Sequence, residues 1–189
     1  MASIRPPTVI VLASGRGERF RAAGGEGSKL AALLAGVPVL ARTLAAVRAS
    51  GLPWHLEEAG HPGMGDSVAA AVRATGGAAG WLILPGDLPL VQPASLRAVA
   101  DAIAQGAEAA QPQHLGERGH PVGFGVNAGA ALACLSGEKG AAPVLQALRA
   151  TGAVVELPLD DIGIVTDIDT PAALARAEAL WAARQLSGG

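Results

Sequence analysis

The sequence feature that most constrains the fold is a short apolar run that leads directly into a glycine-rich turn. Residues 9–20 read VIVLASGRGERF, and Val9 to Ala13 are apolar on both faces of an extended chain. Such a run is typical of a central strand in a parallel sheet that helices cover on both sides. The turn after it then lies at the carboxyl edge of the sheet, where open α/β sheets bind ligands.

Strand-like and helix-like segments alternate along the rest of the chain. Further strands are predicted for PWHLEEA, for WLIL (Trp81 to Leu84) and for AEAAQPQ, HPVGFGV, AVVELPL and GIVTDID. Helices are predicted for 37–50, 66–76, 93–106, 127–135, 142–151 and 170–186. Asp66 or Ser67 is the expected cap of the second of these helices, and Thr170 that of the last. The alternation predicts a single α/β domain over residues 1–189 with a mostly parallel sheet.

Composition argues against several classes of partner. The chain has 14 basic and 16 acidic residues without a block of like charge, so we expect neither a nucleic-acid nor a membrane partner. There is no uninterrupted run of 18 apolar residues and no secretory signal pattern, so we expect a cytoplasmic protein. The single cysteine, Cys134, lies in the apolar run AALACL and is predicted to be a buried thiol.

The glycine turn after the first strand is a candidate anion site, because free backbone N–H groups and small residues let phosphate oxygens approach closely. Neither GxxxxGK[ST] nor the third glycine of a dinucleotide fingerprint is present. We expect a long loop over 14–28, without a helix directly after the turn, which carries Arg16, Arg19 and Arg21 and leads to Lys29. A solvated glycine-rich loop would look the same, but the position at the sheet edge favours polyphosphate binding.

Carboxylates mark two later segments. Asp87 directly follows an apolar strand in LPGDLP, where it either forms a turn or binds a metal ion; taken alone, the turn is the simpler interpretation. Asp167 and Asp169 stand two apart in IVTDIDTP, so that both side chains of an extended segment project from one face. Two like charges there favour a bound cation. Asp169 alone could instead complement the dipole of the following helix, which leaves Asp167 unexplained.

Histidine and arginine residues give weaker signals. In GERGHPVGFG, Arg118 and His120 flank a glycine before a strand, which fits either a grip on an anionic group or a surface hairpin tip. The remaining histidines, His55, His61 and His114, have no metal-binding spacing, so no zinc site is expected.

Together these motifs resemble the nucleotidyltransferases that attach a nucleotide to molybdopterin, most closely the MobA-like molybdenum cofactor cytidylyltransferases. LASGRGERF is similar to the family loop LAAGxSxRM, which wraps the triphosphate. The family's ribose segment is similar to GMGDSVAAAV and its magnesium segment to PGDLPLV. Its acceptor segment resembles RGHPVGF, and its late aspartate segment resembles TDIDTPAAL. The chain differs at Phe20, where the family has methionine, and in 51–64, which has room for one strand where the family has two strands and a helix.

The resemblance implies a Rossmann-like three-layer αβα fold. It also implies a Mg²⁺-dependent transfer from an NTP, with CTP favoured, to the phosphate of a molybdopterin-type acceptor, and a molybdoenzyme as a conceivable recipient. The implied catalytic residues are Arg19, Lys29 and Asp87. The implied nucleotide-binding residues are Ala13, Ser14, Gly15, Gly17, Arg19, Lys29 and Ser67. The acceptor would contact Arg118 and His120, and Mg²⁺ would bind Asp87 with Asp167 or Asp169. GTP, ATP, another acceptor and a non-catalytic cofactor carrier remain alternatives.

Overall fold

A computed structural model describes residues 5–15 and 17–187. The central sheet consists of β1 (Thr8–Leu12), β4 (Trp54–Glu57), β5 (Gly80–Pro85), β6 (Ala109–His114), β7 (Glu117–Arg118), β8 (Val122–Gly125) and β9 (Val154–Pro158). A separate small hairpin pairs β2 (Leu33–Leu34) with β3 (Val37–Pro38). The helices are α1 (Glu18–Ala22), α2 (Val39–Ser50), α3 (Met64–Ala74), α4 (Pro93–Ala104), α5 (Gly129–Ala133), α6 (Ala142–Ala150) and α7 (Pro171–Ser187).

The sheet confirms the predicted mostly parallel α/β architecture. Its strand order is β4-β1-β5-β8-β6, and β6 also pairs with β7 and β9. The pairs β1–β4, β1–β5 and β6–β9 are parallel, whereas β8 runs antiparallel to β5 and β6. The reversal of β8 follows from its short connection to β6 through the β7 hairpin, because a parallel crossover needs a dozen or more residues.

The core lies on both faces of the sheet because successive strand side chains point to opposite sides. On one face, Val9 and Val11 of β1 pack with α2 and α4. On the other face, Ile10 and Leu12 pack with α3 and α5. A third cluster consists of Phe20, Leu34, Val39, Leu90, Ile168 and Ala177. This third cluster packs the loop after β1 and the first half of α7 against the segment that follows β5.

The prediction of an uninterrupted loop over 14–28 is wrong, because it contains the five-residue helix α1. Gly17 adopts a left-handed conformation, with φ of 63°, immediately before the helix. Phe20 in the middle of α1 is only 3% exposed. A single buried aromatic side chain therefore anchors a helix in a stretch whose glycines disfavour one.

The strand predicted for GIVTDID is also wrong. Ile162–Val165 forms a 3₁₀ turn, because the Asp161 carboxylate accepts a hydrogen bond from the Gly163 N–H at 2.9 Å. A Cβ on Gly163 would lie 2.0 Å from the Leu90 carbonyl oxygen. The turn therefore packs directly onto the backbone beyond β5.

The two predicted helix caps have different outcomes. Thr170 caps α7, since its Oγ1 accepts a hydrogen bond from the Ala173 N–H at 3.1 Å, as predicted. Helix α3 begins at Met64, before Asp66 and Ser67, so the prediction that one of them caps it is wrong. Asp66 instead accepts a hydrogen bond from the Gly137 N–H at 2.9 Å.

Cys134 is exposed, so the prediction of a buried thiol is wrong. The residue follows the end of α5, where the helix has turned away from its buried contact at Leu132. Among the described residues, no helix has the length and apolar character needed to cross a bilayer.

Candidate functional site

Three segments that are far apart in the sequence meet at the carboxyl edge of β5. The Lys29 Nζ donates hydrogen bonds to Asp87 Oδ2 at 2.5 Å and to Asp169 Oδ1 at 2.7 Å. The Arg19 Nη1 donates to Asp169 Oδ2 at 2.5 Å. The structure therefore brings the predicted cations and carboxylates into one network.

The three predicted metal-binding carboxylates are neighbours. Asp87, Asp167 and Asp169 each offer an oxygen atom that lies within 4.8 Å of the others. The Ile168 N–H donates to the Asp87 carbonyl oxygen at 3.1 Å, and the Ile168 side chain is fully buried. Because alternate residues of an extended chain point to opposite sides, the buried Ile168 turns both flanking carboxylates towards the cleft.

Charge within this network shifts the ionisation of its members in opposite directions. Burial raises the pKa of Asp167, and the nearby charge of Asp87 raises it further. Burial also acts to raise the pKa of Asp169, but the hydrogen bond and charge of Lys29, together with Arg19, outweigh it and lower that pKa. Burial acts to lower the pKa of Lys29, but the charges of Asp87 and Asp169 outweigh it, so its pKa is raised.

The donor set fits a divalent cation. Mg²⁺ prefers oxygen ligands, and proteins hold it with one or two carboxylates together with substrate phosphates. The cluster offers carboxylate oxygens only, and Asp167 faces two like charges. Asp87, Asp167 and Asp169 therefore suit Mg²⁺ or a similar hard ion, whereas zinc prefers nitrogen and sulfur ligands.

The glycine turn lines a cavity of about 340 Å³, which we name the turn cavity. Its lining includes most of the predicted nucleotide-binding set, namely Ser14, Gly15, Gly17, Arg19, Lys29 and Ser67. The Ser14 and Ser67 hydroxyls are 2.8 Å apart, which joins the turn to α3. Ala13 is not one of the described lining residues, and its N–H donates a hydrogen bond to the Glu57 carbonyl oxygen. Arg16 lies outside the described residues.

A second cavity of about 370 Å³, the carboxylate cavity, adjoins the first and is lined by Asp87, Asp167, Arg118 and His120. Both cavities share Arg19, Lys29, Met64 and Asp169, so they form two lobes of one cleft. Lys29 and Asp169 therefore lie at the junction of the turn cavity and the carboxylate cavity.

The two predicted acceptor-binding residues differ in their surroundings. Arg118 is half exposed, and its guanidinium donates to Glu156 Oε1 at 3.0 Å. Burial lowers the pKa of His120 against the raising effect of the Asp87 charge. The buried Nδ1 of His120 has no hydrogen-bond partner among the described residues. A neutral imidazole with an unpaired nitrogen therefore borders the carboxylate cavity.

Two residues that line the turn cavity, His61 and Glu138, were not predicted from the sequence. The loop that carries Glu138 reaches α3 because the Gly65 N–H donates to the Gly137 carbonyl oxygen at 2.7 Å. A Cβ on Gly65 would lie 2.7 Å from the Ser136 carbonyl oxygen. The pair of glycines in GMG was the available signal of this close approach. For His61, the signal was its position just after a strand that ends at the same sheet edge.

Several solved structures share the fold of this chain. Rv0371c from Mycobacterium tuberculosis, which has also been solved in complex with manganese, is 24% identical; 92% of this chain and 97% of that chain align, with a TM-score of 0.74. A nucleotidyl transferase from Methanothermobacter is 21% identical, with 94% and 98% coverage and a TM-score of 0.76. Molybdopterin-guanine dinucleotide biosynthesis protein A from Archaeoglobus fulgidus is 20% identical, with 93% and 98% coverage and a TM-score of 0.61.

The sequence has no significant match among curated proteins. A family model, by contrast, matches most of the chain. The model describes the MobA-like NTP transferase domain, and it covers residues 9–153, from β1 to the residue before β9. On this match, the chain belongs to the MobA-like NTP transferase family.

Proposed function

We propose that this chain, as one domain, is a cytoplasmic, magnesium-dependent nucleotidyltransferase. It transfers a nucleotide from an NTP, with CTP favoured, to the phosphate of a molybdopterin-type acceptor and releases pyrophosphate. The observation that carries the proposal is the position of Lys29, which bonds Asp87 and Asp169 at the junction of the two cavities. A triphosphate on one side and an acceptor phosphate on the other would meet at this point.

The triphosphate would bind at the glycine turn. Gly15 and Gly17 present backbone without side chains at the cavity wall, and Arg19 and Lys29 supply positive charge beside it. Transfer at phosphorus depends mainly on positioning and on neutralisation of oxygen charge, since the acceptor phosphate is already anionic near neutral pH. Arg19 and Lys29 would therefore offset charge on the β- and γ-phosphates without any protein nucleophile.

The carboxylates would hold the metal ion. Asp87 and one of Asp167 and Asp169 would bind Mg²⁺, which when bound supplies Lewis-acid stabilisation of the phosphate charge. The manganese complex of the similar M. tuberculosis protein supports a divalent ion in this fold. In the described residues, Lys29 and Arg19 neutralise Asp169, so phosphates that draw these cations away would free its oxygens.

The acceptor would enter from the side of β8. His120 borders the carboxylate cavity as a neutral hydrogen-bonding group, and Arg118 lines the same cavity. A phosphate that meets Arg118 would compete with Glu156 for the guanidinium. The product would then pass to a molybdoenzyme.

Two alternatives each have an observation in their favour. GTP in place of CTP is favoured by the similar A. fulgidus protein, which is named for a guanine dinucleotide. A cofactor carrier without catalysis is favoured by the single strand, β4, between α2 and α3, since the resemblance to the family implies a larger edge there. ATP and other phosphate acceptors, such as sugar phosphates, have no observation that favours them.

One assay tests the proposal. Purified protein is incubated with Mg²⁺, molybdopterin and either CTP, GTP or ATP, and pyrophosphate is measured. We expect release with CTP above the other two, and no release without Mg²⁺. Release of pyrophosphate with GTP alone would show that GTP, and not CTP, is the substrate. Binding of molybdopterin without binding of any triphosphate, measured by calorimetry, would replace the enzyme with a carrier.

A further inference from the structure

A buried carboxylate holds a histidine at the end of the turn cavity, and the function proposed above uses neither residue. Glu57 closes β4, and its Oε1 is 3.2 Å from His61 Nε2 and accepts a hydrogen bond from the Ala59 N–H at 3.0 Å. Burial acts to raise the pKa of Glu57, but the hydrogen bonds from Ala59 and His61 outweigh it, so that pKa is lowered. The side chain is therefore an anion at neutral pH.

The anion determines what His61 can offer to a ligand. An ionised carboxylate only accepts hydrogen bonds, so His61 Nε2 carries the proton that it donates to Glu57. In the neutral ring, Nδ1 is then an acceptor. His61 lines the turn cavity together with Ser14, Gly63 and Ser67. The pair thus supplies an oriented acceptor nitrogen on the part of the cavity wall that Ser14, Gly63 and Ser67 also form.

The strand order shows which part of a nucleotide would meet this acceptor. Along the carboxyl edge, β5 leads to Asp87, β1 to the glycine turn and β4 to Glu57. Neighbouring strands lie about 4.8 Å apart. A triphosphate held between Asp87 and the turn would therefore extend its sugar over β1 towards β4, because the sugar is bonded to the α-phosphate.

We propose that His61 accepts a hydrogen bond from the ribose 2′-hydroxyl of the bound triphosphate, with Glu57 as the residue that positions its ring. This inference rests on the proposed nucleotidyltransferase function. A 2′-deoxy sugar has no donor for the nitrogen, and a site built to bond a hydroxyl rejects the analogue that lacks it. The pair therefore makes the site selective for ribonucleotides.

The test compares ribonucleotides with their 2′-deoxy forms. Wild-type protein and His61→Ala are titrated by calorimetry with CTP, 2′-deoxy-CTP, GTP and 2′-deoxy-GTP in the presence of Mg²⁺. We expect the wild type to bind the better ribonucleotide about tenfold more tightly than its deoxy form, which corresponds to one hydrogen bond. In His61→Ala the two affinities should differ by about twofold or less. Glu57→Gln should lower the ratio in the same direction.

His55→Ala is the matched control. The His55 Nε2 lies 3.6 Å from Glu57 Oε2, so this histidine contacts the same carboxylate, but it is not one of the described residues that line the turn cavity. We expect His55→Ala to retain the wild-type ratio. Circular dichroism of all variants identifies any that fail to fold.

The possible failures are distinguishable. A folded His61→Ala that keeps the wild-type ratio overturns the inference, and so does a wild type that binds both sugars equally. A selective wild type that releases no pyrophosphate contradicts the proposed function but supports the role of His61. A wild type that binds no triphosphate overturns both.

Discussion

Asp161 and Asp167 are six residues apart on the same segment, yet their surroundings are opposite. Asp161 is buried and accepts hydrogen bonds from the Gln92 N–H at 2.9 Å and the Ser95 hydroxyl at 2.7 Å. It also accepts from the Gly163 N–H at 2.9 Å and the Arg184 guanidinium at 3.0 Å. Every partner is a donor, so the carboxylate is fully satisfied within the protein.

Asp167 is exposed and has two carboxylates as neighbours. Its carboxylate is nevertheless partly desolvated by the cleft, and this desolvation together with the charge of Asp87 raises its pKa. The comparison shows how one residue type is used in two ways. A carboxylate surrounded by donors stabilises the fold, whereas carboxylates that face one another store repulsion that a cation relieves.

The largest expected effect concerns the satisfied carboxylate. Asp161→Asn replaces one acceptor oxygen with an NH₂ group, which would face Ser95, Gly163 or Arg184 as donor against donor. We expect the free energy of unfolding to fall by about 3 kcal/mol, measured by urea denaturation. Asp160→Asn at the exposed neighbouring position is the control and should be neutral. An equally small effect at both positions would mean that the hydrogen-bond donors around Asp161 do not stabilise the fold, which contradicts the comparison.

The next effect concerns the carboxylate at the end of β5. Asp87→Ala should lower pyrophosphate release by about 10²-fold or more, the scale of losing one preorganised electrostatic contact. The fold should persist, because Lys29 retains its bond to Asp169. Asp101→Ala, at an exposed position on α4, is the control and should keep full turnover. Wild-type turnover in Asp87→Ala would remove this residue from the proposed site.

Metal binding gives a smaller and separate signal. Mg²⁺ at ten times its Kd should stabilise the wild type by about 1.4 kcal/mol, because it binds the folded state. The shift in melting temperature should be largely lost in Asp87→Ala, since one ligand is missing. An equal shift in both proteins would place the ion elsewhere.

The smallest expected effect has the opposite sign to that of Asp161→Asn. The pKa of Asp167 is raised in the folded state. At pH values just above the ordinary aspartate pKa, the folded state therefore binds more protons than the unfolded state. Stability then falls as pH rises from the ordinary aspartate range through the raised pKa of the folded state. Without metal, Asp167→Asn should therefore be slightly more stable than wild type at pH 7 and equal to it at pH 3.

Salt provides the control for this last prediction. The stabilisation by Asp167→Asn should shrink at high ionic strength, because Asp167 is exposed and its repulsion is screened. A variant that is less stable than wild type at pH 7 would show that Asp167 is held by donors, as Asp161 is.

Much of the fold could be predicted because its signals are local. The apolar runs of β1 and β5 and the glycine turn are continuous in sequence, and the rule that parallel strands end at one edge brings Lys29 and Asp87 together. The two-residue spacing of Asp167 and Asp169 likewise indicated one shared face.

The features that were missed depend on distant partners. Helix α1 forms because Phe20 packs with Ile168 and Ala177 in one cluster, about 150 residues away in sequence. Asp161 receives its donors from Gln92 and Ser95 on another segment, so its own surroundings in sequence show only an acidic turn. The sheet brings the partners of such contacts together from distant parts of the chain, so a local sequence pattern does not predict them.

The reversed direction of β8 has a consequence for how such a protein can diversify. Strands β4, β1 and β5 come from the first half of the chain and end at the cleft edge of the sheet. Strand β8 instead begins at that edge, and it follows the β6–β7 hairpin, whose tip is the exposed Leu115 and Gly116. A hairpin tip tolerates insertion and exchange far better than a crossover does. Under the function proposed above, a change of acceptor would therefore require a change in one short loop only, with the residues around the glycine turn left as they are.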